Sequence, residues 1–122
     1  MKKIFFLLFI FFSITAYTAP LFSIMENNKY GFINSGRAVV YQGDGHRGLP
    51  ESAPFDRIIV SAAAPAVPEA LLKQLRCGGR LVMPVGHRGA TQEIVSLEKL
   101  LDGRCREERY PGFIFVPLVK GD

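Results

Sequence analysis

The sequence predicts an α/β fold with a parallel sheet, and three observations lead to that prediction. Short apolar runs recur between segments rich in glycine and proline. One of them, Ile58-Ile59-Val60, is unbroken, which is typical of a strand buried on both faces of a parallel sheet. A helical pattern separates this run from the next one, Leu81-Val82-Met83, as a strand–helix–strand unit requires.

The first strand of this pattern is predicted at Ala38-Val39-Val40-Tyr41, a β-branched run between glycines. Residues 43–54 contain three glycines and two prolines and are predicted to form a loop. The next strand, over residues 55–60, leads into Ser61-Ala62-Ala63-Ala64-Pro65. Because parallel strands bind ligands at their carboxyl ends, the segments after both strands are candidates for a ligand crevice.

A helix is predicted to begin at Pro68, whose fixed φ suits the first helical position, and to end at Gly78-Gly79. Glu69 lies in the first turn, where its charge favours the helix dipole. The helical spacing places leucines on a face toward the core and polar residues on a face toward water. These residues are Leu71, Leu72 and Leu75 on the apolar face, and Lys73 and Gln74 on the polar face.

The next segment permits two interpretations. Ile94, Leu97 and Leu101 would share one face of a helix, and residues 94–101 would also suit an edge strand. Asp102-Gly103 predicts a hairpin-type turn after it.

The last predicted strand covers residues 112–118, with Pro117 near its end. A dense charge cluster precedes it, and its mixed signs predict a solvated surface turn rather than a phosphate-binding patch. We therefore expect no nucleic-acid partner. The cluster consists of Arg104, Arg106, Glu107, Glu108 and Arg109.

Composition limits the class of protein. With 122 residues, 48% hydrophobic and 21% charged, the chain suits one globular domain and carries a formal net charge of +4. Cys77 and Cys105 lack the paired spacing of a zinc site, and His46 and His87 are isolated, so we predict no metal site. A disulfide between the two cysteines would require an oxidising compartment.

Residues 1–21 form an apolar leader. Lys2 and Lys3 precede the apolar run Ile4 to Ile14, and Ala19-Pro20 comes after it, which is the layout of a secretory signal peptide. Residues 4–25 contain no charged side chain, so a membrane anchor is a second interpretation. A third is an alternative start joined to a truncated coding region.

Residues 43–48 match the dinucleotide-binding pattern G-x-G-x-x-G, but their context argues against that function. Such a loop must run into a helix whose N–H groups bind the phosphates, and Pro50 and Pro54 would interrupt a helix at this place. At a ligand crevice, Asp44 could instead accept a hydrogen bond from an adenine amino group, while Gly45 admits a flat purine. An ordinary Asp-Gly turn is the alternative interpretation.

An ordered series of short motifs covers most of residues 22–119. Each motif is weak by itself, but their order and spacing are distinctive, and together the series resembles protein-L-isoaspartate O-methyltransferase of the eukaryotic type. Ser23 and Ser35-Gly36-Arg37 fit the same pattern. The series runs Gly43-Asp44-Gly45, Ala53-Pro54-Phe55-Asp56, Ala62-Ala63-Ala64-Pro65, Leu75, Gly78-Gly79-Arg80-Leu81, Pro84-Val85-Gly86, Gln92, Lys99-Leu100, Asp102-Gly103 and Phe115-Val116-Pro117-Leu118.

The resemblance implies a fold and a reaction. The fold is a Rossmann-like, seven-stranded sheet with a reversed last strand, of which residues 22–122 would be the C-terminal part. The reaction moves the methyl group of S-adenosylmethionine to the free carboxylate of an L-isoaspartyl or D-aspartyl residue in a damaged protein. That acceptor is an anion at neutral pH, so no general base is required.

The resemblance also implies the site residues. Asp44 and Gly45 match the pair that contacts adenine, and Ala62 and Ala63 belong to the loop near the methyl donor. Pro65 and Val116-Pro117-Leu118 border the groove for the damaged peptide. Val119 stands where the family often has a cofactor-binding hydroxyl, a contact that valine cannot make.

Parts of the family pattern have no counterpart in this sequence. They are the glycine-rich cofactor loop, the acidic residue for the ribose and the segment with the active-site serine, so no catalytic residue is assigned. The family's first strand, central in its sheet, has no candidate here except the leader. We therefore expect a truncated enzyme with little activity alone. The alternative is a non-catalytic, secreted or membrane-anchored fragment that acts only as a binding module.

The resemblance implies a cytoplasmic location. A functional leader would instead direct the chain to the secretory pathway, and the chain would contact a membrane only through a leader that is not cleaved.

We predict that residues 1–30 export a fused reporter, because they carry the signal-peptide layout. Fractionation and sequencing of the reporter's new N-terminus check this. A reporter that stays in the cytosol with residue 1 or 2 retained would contradict it.

Overall fold

The fold was analysed in a computed structural model of the chain, and the structure describes residues 4–7 and 43–118. The predicted strand 38–41 and most of the leader lie outside these residues. So do Ser23, Ser35-Gly36-Arg37 and Val119.

The described residues form a five-stranded mixed sheet in the order β1-β2-β3-β4-β5. β1 pairs parallel with β2 and β2 with β3, whereas β4 is antiparallel to both of its neighbours. The strands are β1 Ile4–Leu7, β2 Phe55–Val60, β3 Leu75–Val85, β4 Gln92–Lys99 and β5 Cys105–Phe113; a 3-10 turn covers Pro50–Ser52 and helix α1 covers Glu69–Gln74.

The predicted strand–helix–strand unit is confirmed as β2–α1–β3. The register aligns Ile58 with Leu81 and Leu81 with Leu97, so one row of aliphatic side chains crosses three strands. All three side chains are buried, and Leu71 of α1 belongs to the same cluster. The core therefore lies between α1 and this face of the sheet.

The opposite face of β2 is less covered than the sequence predicted. Side chains alternate along a strand, so Ile59 points away from the face that holds Ile58 and Val60. Ile59 is 39% exposed, and the prediction of a strand buried on both faces is wrong at this position. A continuous aliphatic run does not reveal which faces other elements cover.

Helix α1 ends before the predicted Gly78-Gly79 stop. Leu75 has an extended backbone and pairs with Phe55 of β2, and β3 continues through both glycines. The Lys99 ammonium donates to the carbonyls of Leu72 and Leu75 at 3.0 and 2.9 Å, which satisfies carbonyl groups at the helix end. No helix in the described part of the chain is long and apolar enough to cross a membrane.

Residues 92–99 form a strand rather than a helix, but β4 lies between β3 and β5 and is therefore not the edge strand expected; the predicted turn at Asp102-Gly103 joins β4 to β5. Two other predictions are wrong. Four of the five residues of the charge cluster, all except Arg104, lie in strand β5, exposed along its whole length, rather than in a turn. The last ladder strand ends at Phe113, so most of the predicted strand over residues 112–118 lies beyond it.

The resemblance implied a reversed last strand. In this chain the reversed strand is β4, and the strand after it, β5, again runs in the direction of β3. After β5 the chain crosses back to the carboxyl end of β2, where Pro117 forms a parallel bridge with Ala63.

Strand β1 comes from the leader. Ile4–Leu7 pairs in register with Arg57, Ile58, Ile59 and Val60 of β2. These four leader residues thus occupy the place beside β2 for which the sequence offered no other candidate. Their backbone covers an edge of β2 that would otherwise be unpaired.

We expect β1 to stabilise the sheet. The double substitution Phe5→Pro/Phe6→Pro removes two consecutive N–H groups, one of which points toward β2, so the free energy of unfolding should fall by about 1–2 kcal/mol. The Arg57–Val60 amides should also exchange faster. Chemical denaturation and hydrogen exchange measure the two effects.

The matched control is Phe5→Ile/Phe6→Ile, which keeps both N–H groups and a strand-forming backbone. Removal of residues 1–21 should have a larger effect, with broad melting and self-association of residues 22–122. A sharp, cooperative transition from a monodisperse monomer of residues 22–122 would refute a structural role for β1.

Candidate cofactor and peptide site

The linker after β2, which consists of Ala62, Ala63 and Ala64, is hydrogen-bonded on both sides. On one side, Ala63 N donates to Val116 O at 2.8 Å and Leu118 N donates to Ala63 O at 2.6 Å. On the other, Ala64 N donates to Pro84 O at 3.3 Å and Gly86 N donates to Ala64 O at 2.9 Å. The linker therefore extends the sheet between the end of β3 and the C-terminal segment.

This arrangement brings together two groups of predicted site residues. Ala62 and Ala63, predicted to contact cofactor, are buried beside Val116, Pro117 and Leu118, predicted to border the peptide groove. The side chain of Leu118 packs into the core, whereas that of Val116 is half exposed. Pro65, the remaining predicted peptide residue, is exposed just after the linker.

Asp44 and Gly45 lie in a turn of their own. The Asp44 carboxylate accepts a 2.9 Å hydrogen bond from the backbone N–H of His46, and the Asp44 carbonyl accepts from Arg47 N at 3.1 Å. The ring nitrogen Nδ1 of His46 is buried, lies 3.4 Å from Asp44 Oδ1 and has no hydrogen-bond partner. The turn interpretation of Asp44-Gly45 is thus present in the structure.

A buried glutamine holds this turn against α1. Gln74 Oε1 accepts from Leu49 N at 2.8 Å, and Gln74 Nε2 donates to Arg47 O at 2.7 Å. Gly48 lies between these two backbone groups with φ +64°, and a Cβ there would overlap Gln74 Oε1. The prediction that Gln74 faces water is wrong, because the helical pattern cannot show that a loop much earlier in the chain returns to this position.

A second buried glutamine holds the C-terminal segment. Gln92 Oε1 accepts from Phe115 N at 2.6 Å, while Gln92 Nε2 lies 3.4 Å from both Phe115 O and His87 O. The ladder between β4 and β5 ends where Gln92 pairs with Phe113. The Gln92 amide thus continues the pairing as far as Phe115, toward the bridge at Pro117.

Sequence reasoning missed the roles of Gln74 and Gln92. In the sequence, Gln92 is only one match in the tail of the resemblance, and Gln74 is only a polar position on a predicted helix. A long polar residue at the end of a short amphipathic helix carries no signal of burial by itself.

The charges of β5 pair with one another and with carboxylates of β4. Arg109 contacts Glu93 at 2.9 Å and Glu107 at 2.5 Å, and these two carboxylates raise the pKa of its guanidinium. The Tyr110 hydroxyl donates to Glu108 at 2.8 Å, and because ionisation would remove this hydrogen bond, the pKa of Tyr110 is raised.

Cys77 and Cys105 are both free and exposed.

A comparison with known protein families identifies the family of this chain. The model of the protein-L-isoaspartate(D-aspartate) O-methyltransferase family matches residues 23–122. The chain belongs to this family. The match contains the turn at Asp44, the linker at Ala62–Ala64 and the segment at 116–118.

Curated members of the methyltransferase family are close to this chain in sequence. The protein-L-isoaspartate O-methyltransferase of Methanopyrus kandleri is 52% identical over 80 residues, which are 66% of this chain and 35% of that protein. The enzymes of Thermococcus onnurineus and Pelotomaculum thermopropionicum are 48% and 47% identical over 75% and 80% of this chain, and over 40% of each relative. The chain thus spans roughly two fifths of these relatives.

Solved structures of the family share the fold. A protein from Plasmodium falciparum, described as a putative protein-L-isoaspartate O-methyltransferase in complex with S-adenosyl-L-homocysteine, superimposes with a TM-score of 0.63 at 24% identity. It is matched over 80% of this chain and 46% of its own. A second structure, named protein-L-isoaspartate O-methyltransferase, gives a TM-score of 0.62 at 28% identity over 78% of this chain and 31% of its own. The described sheet is therefore part of a Rossmann-like methyltransferase fold.

We predict that Gly48→Ala destabilises the protein more than Gly89→Ala. Both glycines have positive φ, +64° and +79°, so both substitutions strain the backbone. Only the Cβ at position 48 meets other atoms, those of Gln74 and Leu71, whereas nothing lies within 4 Å of a Cβ at position 89. Overpacking there should cost about 1–3 kcal/mol more, as measured by chemical denaturation. Equal losses would show that Gly48 is required only for its backbone conformation.

Proposed function

We propose that this chain supplies part of the cofactor site and the peptide site of a protein-L-isoaspartate O-methyltransferase. The observation that carries the proposal is the linker Ala62–Ala64, whose backbone is bonded to the segment at Val116–Leu118. The segment assigned to the cofactor and the segment assigned to the damaged peptide thereby lie side by side in the sheet. A transfer reaction needs such closeness, because its two reactants must be aligned in one site.

The proposed cofactor is S-adenosylmethionine. Support comes from the family match and from the Plasmodium falciparum relative, whose complex contains S-adenosyl-L-homocysteine, the product left after methyl transfer. Asp44 would accept a hydrogen bond from the adenine amino group, and Gly45, which is buried, would lie against the ring. When bound, S-adenosylmethionine would supply a methyl group on a positively charged sulfur.

The residues around the linker suit this reaction. Ala62, Ala63 and Ala64 carry no acid or base, and the isoaspartyl carboxylate needs none because it is already ionised at neutral pH. Their backbone, fixed by four hydrogen bonds, would form a wall that holds the reactants in line and keeps water out. Pro65 and Val116, both exposed, would contact the damaged peptide.

The natural substrate is proposed to be a damaged protein or peptide with an L-isoaspartyl residue. The family description and the names of the relatives support that choice. The place of action depends on the leader: the cytoplasm by family, or the secretory pathway if residues 1–21 act as a signal.

A second candidate function is a binding module without catalysis. It is the alternative for these 122 residues taken by themselves, in which no glycine-rich cofactor loop is recognised. The two candidates differ in one property, because an enzyme must bind S-adenosylmethionine and a binding module need not.

The test joins residues 22–122 to the N-terminal half of a full-length relative. We expect this chimera to methylate isoaspartyl peptides and the 122-residue chain to show little or no activity, since the chain supplies only part of the cofactor contacts. Within the chimera, Asp44→Ala should weaken cofactor binding by about 10- to 100-fold through loss of one charge-assisted hydrogen bond. The maximal rate at saturating cofactor should change much less.

The variant Asp44→Asn distinguishes the proposed adenine contact of Asp44 from its structural role in the turn. An asparagine oxygen can still accept from His46 N, but its amide group replaces the second carboxylate oxygen with a donor, which repels an adenine amino group. We therefore expect Asn to weaken cofactor binding about as much as Ala does. Cofactor titration and initial rates measure both variants, and unchanged affinity in both would leave Asp44 as a structural turn residue only.

A further inference from the structure

Two glutamine side chains are the buried polar residues among residues 43–118. Gln74 is 7% exposed and Gln92 is 1% exposed. An amide that is buried without partners costs free energy, so buried amides are expected to be hydrogen-bonded. Both amides meet this expectation, and every partner is a backbone group of a loop or an extended segment rather than a side chain.

Gln74 reaches only the turn that carries Asp44 and Gly45. It accepts from Leu49 N and donates to Arg47 O, so both ends of its amide are used on one short stretch. Its neighbour Lys73 instead extends into solvent and pairs with Glu69 at 2.8 Å, one helical turn away. The end of α1 thus holds the turn through one side chain.

Gln92 reaches the segment that carries Val116. It accepts from Phe115 N and donates toward Phe115 O and His87 O. Ile114 and Val116, on either side of Phe115, are 84% and 51% exposed. The amide thus fixes the inward-facing residue of this segment and leaves its neighbours on the surface.

We propose that Gln74 and Gln92 are the positioning residues of the two halves of the site, Gln74 for the cofactor turn and Gln92 for the peptide segment. Neither would touch a reacting atom; each fixes the backbone of the segment that carries the proposed binding residues. The identity of the two ligands rests on the proposed function. That Gln74 holds one segment and Gln92 the other rests on their hydrogen bonds alone.

The division predicts separate effects. Gln74→Met keeps the length and apolar stem of the side chain but removes both hydrogen bonds to residues 47–49. The amide of Leu49 should lose protection from hydrogen exchange by about 10-fold or more, with no change at Phe115. Gln92→Met should do the reverse.

A glutamate at either position gives a second variant of nearly equal size. Gln74→Glu retains an acceptor for Leu49 N but sets a carboxylate oxygen against Arg47 O, and Gln92→Glu does the same at His87 O and Phe115 O. We expect these variants to release the same segments as the methionine variants. Agreement between the two series excludes an effect of side-chain volume.

Lys99→Met is the matched control. Lys99 also reaches the end of α1, through the carbonyls of Leu72 and Leu75, but has no hydrogen bond to the turn at residues 43–49. If loosening of α1 were enough to free the turn, Lys99→Met would expose Leu49 as Gln74→Met does. We expect Leu49 to stay protected.

The experiment measures residue-resolved hydrogen exchange of the full 122-residue chain and its variants, together with two titrations of the chimera that carries the same substitutions. S-adenosylhomocysteine is the probe for the cofactor side and a synthetic isoaspartyl peptide is the probe for the peptide side. Gln74 variants should weaken binding of the first probe about 10-fold and leave the second unchanged, and Gln92 variants should do the opposite.

The outcomes are distinguishable. Equal loss of protection at Leu49 and Phe115 in both series, or none in either, would overturn the positioning roles. Failure of the unsubstituted chimera to bind either probe would overturn the proposed function, while exchange in the 122-residue chain would still decide what each glutamine positions. If both probes bind and every variant weakens both equally, the glutamines only stabilise the fold.

Discussion

The described site depends on the backbone of two alanines. Ala63 and Ala64 use their N–H and C=O groups on both sides, toward Val116 and Leu118 on one and toward Pro84 and Gly86 on the other. Ala62, Ala63 and Ala64 are all almost fully buried, so larger side chains there would have to displace the atoms packed around them. Without this link the C-terminal segment would be held by Gln92 only as far as Phe115 and would not lie beside the end of β2.

The same requirement explains the two buried glutamines. Where a strand ladder stops, the backbone groups beyond it need other partners. Gln92 supplies them for Phe115 beyond the end of β5, and Gln74 supplies them for the turn at residues 43–49. The two segments proposed to carry ligand contacts are thus held in place without regular secondary structure, by two buried amides that must stay paired.

The sequence predicted the strand–helix–strand unit, the turn at Asp102-Gly103 and the family, because each is encoded by residues near one another in the chain. It failed at Gln74, at the end of α1 and at residues 112–118, where distant residues decide. The helix ends at Gln74 because Leu75 pairs with Phe55 and Lys99 binds the last carbonyls. The charged run after Arg104 forms a strand because β4 lies beside it, although both of its faces are exposed.

For the site, local sequence determined which residues are candidates: Asp44-Gly45 by turn chemistry, Ala62–Ala64 by their place after a strand and Val116–Leu118 by their resemblance. Tertiary structure alone decided which of them meet. Ala63 joins Val116 and Leu118, far apart from it in the chain, through backbone groups that nearly every residue possesses, so no side-chain pattern can specify the pairing. Likewise, the leader residues Ile4–Leu7 carry an apolar pattern that suits a signal peptide, yet in the folded chain they pair with β2, because an open strand edge accepts any extended backbone in register.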